Sequence, residues 1–302
     1  MLKKIYNGLN NFIRYDQVKK DMFLPNGILK CPVCSMSLLP SENRKSLLCQ
    51  NEKKCHCFDI SSAGYVNLLM GNKSGDSRGD SKEMVRARSA FLEKGYYAPF
   101  AEAVTDAVKK YGVSIIADAG CGEGYYTNKL ASLDGVSVYG FDISKHAVEH
   151  ASKSAKRLGL SDKSFYAAAS IFELPIADGS VDAVVNLFAP CAEEEFSRVL
   201  KDGGYLICGA AGREHLIDLK RAIYDEAYEN DGRADIPESF VFVENINVNY
   251  RFTVDNNADL QSLFAMTPYY FRTSERDRKK IDGIESLEIT ADFDILIYRK
   301  GN

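Results

Sequence analysis

The chain has 302 residues, 45% of them hydrophobic and 26% charged, and a net charge of −4. That length suits one full α/β domain plus a smaller attachment, and the composition excludes a disordered chain. The sequence holds no run of about 18 apolar residues, which excludes a membrane-spanning helix, and the charged first residues Met1 to Asp21 lack the apolar stretch of a secretory signal. A cytoplasmic protein is therefore expected. Residues 1–30 form an extension without strong periodicity, and five of the eight cysteines follow between Cys31 and Cys57. Gly71 to Asp80 is small, polar and glycine-rich, and it reads as a loop. A helix is predicted from an N-cap at Ser81 towards Lys94, with Met84, Ala87, Phe91 and Leu92 on one face, and a second over Pro99–Lys110.

An α/β alternation then begins. Strands are predicted at Val113–Asp118, Val136–Phe141, Ser164–Ala168, Val181–Phe188 and Tyr205–Ala210. Helices are predicted at Tyr125–Leu133, Lys145–Leu158, Ala192–Leu200 and Arg213–Tyr228. Strands that alternate with helices imply a parallel sheet covered on both faces. Val241–Val243 and the long run Ile289–Tyr298 predict a late antiparallel edge. The domain boundaries that follow are 1–30 for the extension, 31–70 for a cysteine-rich module and 71–302 for the α/β domain.

Charge is divided unevenly. Residues 1–100 carry 16 Lys+Arg against 9 Asp+Glu, and residues 101–302 carry 22 against 33. A basic end on an acidic body is what a chain needs if that end meets phosphate.

The segment Asp118-Ala-Gly-Cys-Gly-Glu-Gly-Tyr-Tyr-Thr127 follows an apolar strand and opens a helix. Gly120, Gly122 and Gly124 permit a tight turn and close approach of a ligand. The N–H groups at the helix start are expected to receive an electronegative group. A dinucleotide loop reads G-x-G-x-x-G; here the spacing is G-x-G-x-G, with an acid two residues before it. The pattern resembles motif I of class I methyltransferases, which implies S-adenosylmethionine as cofactor. Asp142, followed by Ile143, ends the next strand 24 residues after Asp118. A carboxylate there can accept from both ribose hydroxyls. Ala169 and Ser170 follow the third strand, where such folds contact adenine, and Asn186-Leu-Phe-Ala-Pro190 ends the fourth, beside the reacting methyl.

Cys31-Pro-Val-Cys34 has the spacing of a zinc knuckle, and a second ligand pair is expected about 12–20 residues on. Cys49 provides one member; Cys55, His56 and Cys57 compete for the other. Four protein ligands leave no open position, so the zinc would be structural. Cys121, Cys191 and Cys208 read as small buried side chains.

Together these features resemble the bacterial 23S rRNA guanine-N1 methyltransferases, over about residues 31–300. The resemblance rests on Cys31-Pro-Val-Cys34, His56-Cys-Phe-Asp59, Gly64-Tyr-Val-Asn-Leu-Leu69, Gly79-Asp-Ser81 and Ala87-Arg-Ser-Ala-Phe-Leu92. It continues in Cys121-Gly-Glu-Gly-Tyr-Tyr-Thr127, Ala189-Pro-Cys191, Met266-Thr-Pro268 and Thr290-Ala-Asp-Phe293. It implies a Rossmann-like class I methyltransferase domain behind a small N-terminal zinc-binding module, a 23S rRNA hairpin as partner and a homodimer. Its zinc set maps onto Cys31, Cys34, Cys49 and His56, although the gap from Cys49 to His56 exceeds the family's usual three intervening residues. Its cofactor contacts map onto Tyr97, onto Gly122-Glu123-Gly124-Tyr125 and onto His215. The extension before Cys31 departs from the family.

The implied reaction is transfer of a methyl group to guanine N1, on the base-pairing edge, so the base must be unpaired or flipped out. Asn186 is a candidate for hydrogen bonding the base, and Asp76 or Asp80 for accepting its proton; no catalytic base is assigned. Tyr96, Tyr97, Tyr125, Tyr126 and Phe188 are candidate stacking platforms. Lys53, Lys54, Arg86 and Arg88 are the leading candidates for phosphate contact. The other reading of the same motif I is a small-molecule methyltransferase.

Overall fold

The computed structural model describes residues 27–70, 79–230 and 238–301. The extension up to residue 26, and residues 71–78 of the expected loop with Asp76 among them, lie outside these. The cysteine-rich module forms a small antiparallel sheet of β1 (Leu38–Pro40), β2 (Ser46–Cys49) and β3 (Cys57–Asp59), in that order. A two-residue strand, β4 (Val66–Asn67), then leaves the module and joins the large sheet of the α/β domain.

Helix α1 (Lys82–Leu92) starts where expected: the Ser81 side chain accepts from the Met84 N–H at 3.3 Å and satisfies one of the orphan donors of the first turn. Helix α2 (Ala98–Lys110) follows, with proline in its first turn, where a missing N–H costs nothing. The alternation then runs β5 (Ile115–Ala119), α3 (Tyr125–Ala131), β6 (Ser137–Asp142), α4 (Lys145–Arg157), β7 (Ser164–Ala168), β8 (Val181–Leu187), α5 (Glu193–Val199) and β9 (Leu200–Ala211). Helix α6 (Ile217–Ile223), β10 (Phe240–Val254), α7 (Asn257–Ala265), α8 (Glu275–Arg278) and β11 (Leu287–Lys300) complete the chain.

The eight-stranded sheet has the order β10-β11-β9-β8-β5-β6-β7-β4. Its pairs from β4 to β9 are parallel, and β11 and β10 close it antiparallel. Strand order reverses beside β5, and that is where open α/β sheets leave a crevice at the carboxyl ends of their strands. One hydrophobic cluster joins Phe91, Phe100, Leu219, Leu263, Phe264 and Phe293. A second joins Leu29, Leu38 and Leu47 of the module to Ile176, Phe196 and Val199 of the domain. The module is thus cemented to the domain by shared apolar burial, and the parallel pairing of Val66 with Ala167 adds to it.

Three of the elements that differ from expectation have a local physical cause. The helix expected over Arg213–Tyr228 is reduced to Ile217–Ile223, because Leu216 before it is left-handed (φ 59°) and Tyr224 after it is extended. The strand expected at Val241–Val243 runs on to Val254 through Asn245, Asn247 and Asn249, which read as turn residues. Their cost is offset across the ladder: the Asn245 amide donates to Asp294 Oδ1 at 2.7 Å and the Asn247 amide to Asp292 Oδ1 at 3.0 Å. Helix α7 was not expected; Asn256 Oδ1 caps it by accepting from the Asp259 N–H at 2.9 Å. No helix among the described residues is long and apolar enough to cross a membrane.

Candidate functional site

In the module, the sulfurs of Cys31, Cys34 and Cys49 and a ring nitrogen of His56 all lie within 4.8 Å of one another. Cys34 and Cys49 Sγ are 3.9 Å apart, and His56 Nδ1 is 3.6 Å from Cys31 Sγ and 3.4 Å from Cys49 Sγ. A tetrahedral zinc with bonds of about 2.3 Å to sulfur and about 2.0 Å to nitrogen has edges of roughly 3.5–3.8 Å, so the donor set fits. Backbone N–H groups support the thiolates: Val33 donates to Cys31 Sγ at 3.4 Å and His56 to Cys49 Sγ at 2.9 Å. Cys55 is exposed, and its thiol turns to the His56 carbonyl at 3.8 Å. Cys57 is exposed as well. Of the three residues that compete for the fourth position, His56 is the one that stands with Cys31, Cys34 and Cys49.

The second site is a cleft of about 550 Å³ at the carboxyl ends of β5, β6 and β8. Of the twelve residues expected at the cofactor, Tyr97, Asp118, Gly120, Gly122, Glu123, Asp142, Ile143 and His215 line it. Gly124, Tyr125, Ala169 and Ser170 are not on its wall. Gly124 instead caps α3 with φ 85°, and a Cβ there would sit 2.6 Å from the Ala151 Cβ of α4. Ala169 donates its N–H to the Asp142 carbonyl at 3.0 Å, and Ser170 Oγ accepts from Phe172.

The glycine loop departs from expectation in one respect. The N–H groups of Gly120 and Cys121 both donate to the Phe141 carbonyl, Gly122 donates to Asp142 Oδ2, and Gly124 to the Cys121 carbonyl. These donors are consumed in making the turn, so the loop supplies shape and close approach rather than a nest of free N–H groups. Gly120 is required there: its φ is 92°, and a Cβ would meet Ala189 at 2.6 Å.

Around this loop the charges are mostly negative. Burial pushes Asp118 up to about 7, with the Asp142 and Glu123 carboxylates adding to the shift and the 2.6 Å hydrogen bond from Thr127 Oγ1 opposing it. Burial pushes Glu123 up to about 7 against the attraction of Arg88. Asp142 is raised by burial too, although it accepts from Ser144 at 2.8 Å and Gly122 at 3.0 Å. A cleft that holds three such carboxylates under strain favours a cationic guest. Arg88 is the counter-charge in the wall. It pairs with Asp80 and lies 3.8 Å from Glu123, so it faces the cleft rather than an external phosphate, a correction to its expected role. Sequence pattern alone marks it only as a basic residue on α1.

His215 Nδ1 accepts from the Asp292 N–H at 3.3 Å, and Nε2 lies 3.4 Å from the Tyr97 hydroxyl. Burial lowers its pKa to about 3, so the ring is neutral with the proton on Nε2. Asn186 does not reach into the cleft as a donor: its amide donates to the carbonyls of Ala119 at 2.9 Å and Pro190 at 3.3 Å, tying β8 to β5. Of the expected aromatic platforms, Tyr97, Tyr126 and Phe188 line the cleft. Tyr96 is spent on Asp259, to which its hydroxyl donates at 2.9 Å, and Tyr125 packs edge-on against Tyr126. Sequence reasoning missed the opposite wall, Leu263 and Met266 to Tyr269; the Met266-Thr-Pro268 run was a signal for it.

Comparison with known proteins agrees with this architecture. Residues 112–260 match the family model described as "Methyltransferase domain", and residues 29–74 match a zinc-ribbon family described as "RlmA, N-terminal". The protein named "Putative 23S rRNA (guanine-N(1)-)-methyltransferase YxjB" of Bacillus subtilis (strain 168) is 30% identical over 287 residues, 90% of this chain and 97% of its own. The 23S rRNA (guanine(748)-N(1))-methyltransferase of Streptomyces fradiae is 31% identical over 201 residues, 65% of this chain and 67% of its own. With a zinc-ribbon ligand quartet, a glycine-loop cleft and near full-length collinearity with such a relative, the chain belongs to the 23S rRNA (guanine-N1)-methyltransferase family, an S-adenosylmethionine-dependent methyltransferase domain preceded by a structural zinc ribbon.

Proposed function

We propose that this protein methylates N1 of a guanine in a hairpin of 23S rRNA. The observation that carries the reading is that a complete zinc-ligand quartet and a cleft lined by acidic groups occur together in a chain collinear with a relative of that name. S-adenosylmethionine supplies an electrophilic methyl group on a sulfonium. Asp118, Glu123 and Asp142 complement its positive charge. A carboxylate has about four acceptor sites; Asp142 uses two on Gly122 and Ser144 and keeps two for the ribose hydroxyls. Tyr97 and neutral His215 present hydroxyl and N–H groups to the methionine end, and Ile143 packs on the adenosine. With it we propose the homodimer that the family resemblance implies and the cytoplasmic location expected from the sequence. The direct test is methylation of an rRNA hairpin transcript by the purified protein, read by reverse transcription, which a methyl on the pairing edge stops. Methyl transfer to small-molecule extracts with none to RNA would instead favour the small-molecule reading.

Asp142→Ala is expected to weaken cofactor binding by at least about tenfold, since each hydrogen bond to a charged group contributes about 1.5–3 kcal/mol. An unchanged dissociation constant by calorimetry removes Asp142 from the ribose site.

The RNA grip is placed on the module. Lys53 and Lys54 are exposed beside the zinc quartet, and Arg86 is exposed on α1. Reversing both lysines to glutamate should weaken hairpin binding and lower the salt slope by about one per lost phosphate contact. An unchanged slope would leave the module a purely structural role.

A further inference from the structure

We propose that a cavity beside the cofactor cleft is a second RNA subsite, which takes the nucleotide next to the target guanine: its base lies on the ring of Tyr228 and its phosphate meets Arg272. The inference rests on the rRNA reading above and names a contact that the zinc module does not supply. The cavity has a volume of about 380 Å³. It is lined by residues of α6 and the segment after it, and by residues of the segment after α7. Asn230, Pro268 and Tyr269 line this cavity and the cleft alike, while no residue of the glycine loop lines it. A strand that puts one base into the cleft therefore has its neighbouring nucleotide beside the cavity.

The walls are aromatic. The Tyr224 ring stands 6.0 Å from Tyr228 and 6.2 Å from Tyr269, centroid to centroid. Tyr224 is locked, because its hydroxyl donates at 2.5 Å to Thr273 Oγ1, which itself donates to the Tyr269 carbonyl at 2.9 Å. Tyr228 is 56% exposed. Against its ring sits the ammonium of the buried Lys220, 4.4 Å from the centroid. Lys220 also donates to the Tyr228 carbonyl at 3.1 Å and to Asn230 Oδ1 at 2.7 Å, which fixes this wall in place. A ring held by a cation and more than half exposed is a ready platform for a base, since every base has a π-face.

The charge has the sign that a phosphate needs. The stretch from Arg272 to Lys280 holds five basic residues against Glu275 and Asp277, although residues 101–302 together carry 22 Lys+Arg against 33 Asp+Glu. Four of the five are engaged: Arg276 and Lys280 with Asp225, Lys279 with Glu275, and Arg278 with the Thr273 carbonyl. Arg272 is exposed, borders the cavity and has no ion pair among the described residues. Glu229, the acidic residue in the described wall, is paired with Arg213. An unengaged guanidinium beside aromatic rings can hold a phosphate together with its base. The cofactor cleft has the opposite character, with Asp118, Glu123 and Asp142 on its wall. The two cavities thus sort a cationic cofactor from a polyanionic substrate.

The test is hairpin binding by the full chain, read by fluorescence anisotropy, for the wild type, Tyr228→Ala, Tyr228→Phe and Arg272→Gln. The probes are the rRNA hairpin and two versions of it, abasic at the nucleotide before or after the target guanine. Tyr228→Ala is expected to raise the dissociation constant about tenfold and Tyr228→Phe to leave it within about twofold, because the ring carries the contact. On one of the two abasic hairpins the Tyr228→Ala penalty should vanish, since the base that it stacks is gone. Arg272→Gln should lower the salt slope by about one. The S-adenosylmethionine dissociation constant should hold in all three variants, because neither residue lines the cleft. Wild-type hairpin affinity in Tyr228→Ala, or an equal penalty on all three hairpins, overturns the proposal, and so does an unchanged salt slope in Arg272→Gln. A loss of RNA affinity that comes only with a parallel loss of cofactor affinity and Tm also overturns it, and makes the cavity a structural part of the domain. Binding is read apart from methylation. A hairpin that is bound but not methylated refutes the guanine-N1 reading alone, and one that the wild-type protein does not bind refutes both.

Discussion

Cys31→Ser is expected to strip the zinc from the protein and unfold the N-terminal module. Wild-type protein should carry one zinc per chain, since one quartet of ligands is assembled among the described residues. In small zinc modules metal binding is folding free energy, on the order of 10–16 kcal/mol, and the strands β1–β3 of this module are only three or four residues long. Cys31 is buried beside Leu29, Leu38 and Leu47, whose cluster continues into Ile176, Phe196 and Val199 of the domain. Losing the metal should therefore lower the Tm of the whole chain and expose the amides of β1–β3 to hydrogen exchange. Cofactor binding should survive, because no described residue before Gly79 lines the cleft. Elemental analysis and calorimetry on the same preparation check both halves. His56→Ala should lose zinc and Cys55→Ala should keep it; the reverse pattern would make Cys55 the fourth ligand.

Asp118→Asn should stabilise the cofactor-free protein at pH 8 and cripple cofactor binding. The folded-state pKa of Asp118 is about 7, against an ordinary value of 3.8. Between those values the unfolded chain has released the proton that the folded chain still holds. Stability contributed by this group is thus full below about pH 4, falls as pH rises, and is lost above about pH 7. At 1.36 kcal/mol per unit the accumulated penalty is roughly 4 kcal/mol. Asparagine removes the charge, and its Oδ1 can still accept from Thr127 Oγ1. Denaturant unfolding should show the gain at pH 8 and little change at pH 4. Equal stability of both proteins at pH 8 would mean that the buried carboxylate ionises without cost. On the proposed placement of the cofactor, the same substitution removes a negative charge that complements the sulfonium, so the cofactor dissociation constant should rise. Such a cleft trades stability for function: carboxylates that repel one another when it is empty are relieved by a cationic guest.

What local sequence determines in this protein is whatever depends on neighbours in the chain. The α/β alternation is legible because apolar strands and amphipathic helices differ in period. The loop from Asp118 to Gly124 is legible because three closely spaced glycines after a strand allow a turn that few other sequences can make. The metal is legible because Cys31 and Cys34 share one knuckle. What only the tertiary structure decides are contacts across long sequence separations. Spacing leaves Cys55, His56 and Cys57 equivalent; the pairing of β2 with β3 brings Cys49 towards His56 and leaves the thiols of Cys55 and Cys57 outside. Arg88 looks like one more surface cation until the close of α1 over the glycine loop sets it against Asp80 and Glu123. Asn186 looks like a substrate contact, but strand order places β8 against β5 and its amide is taken by Ala119 and Pro190.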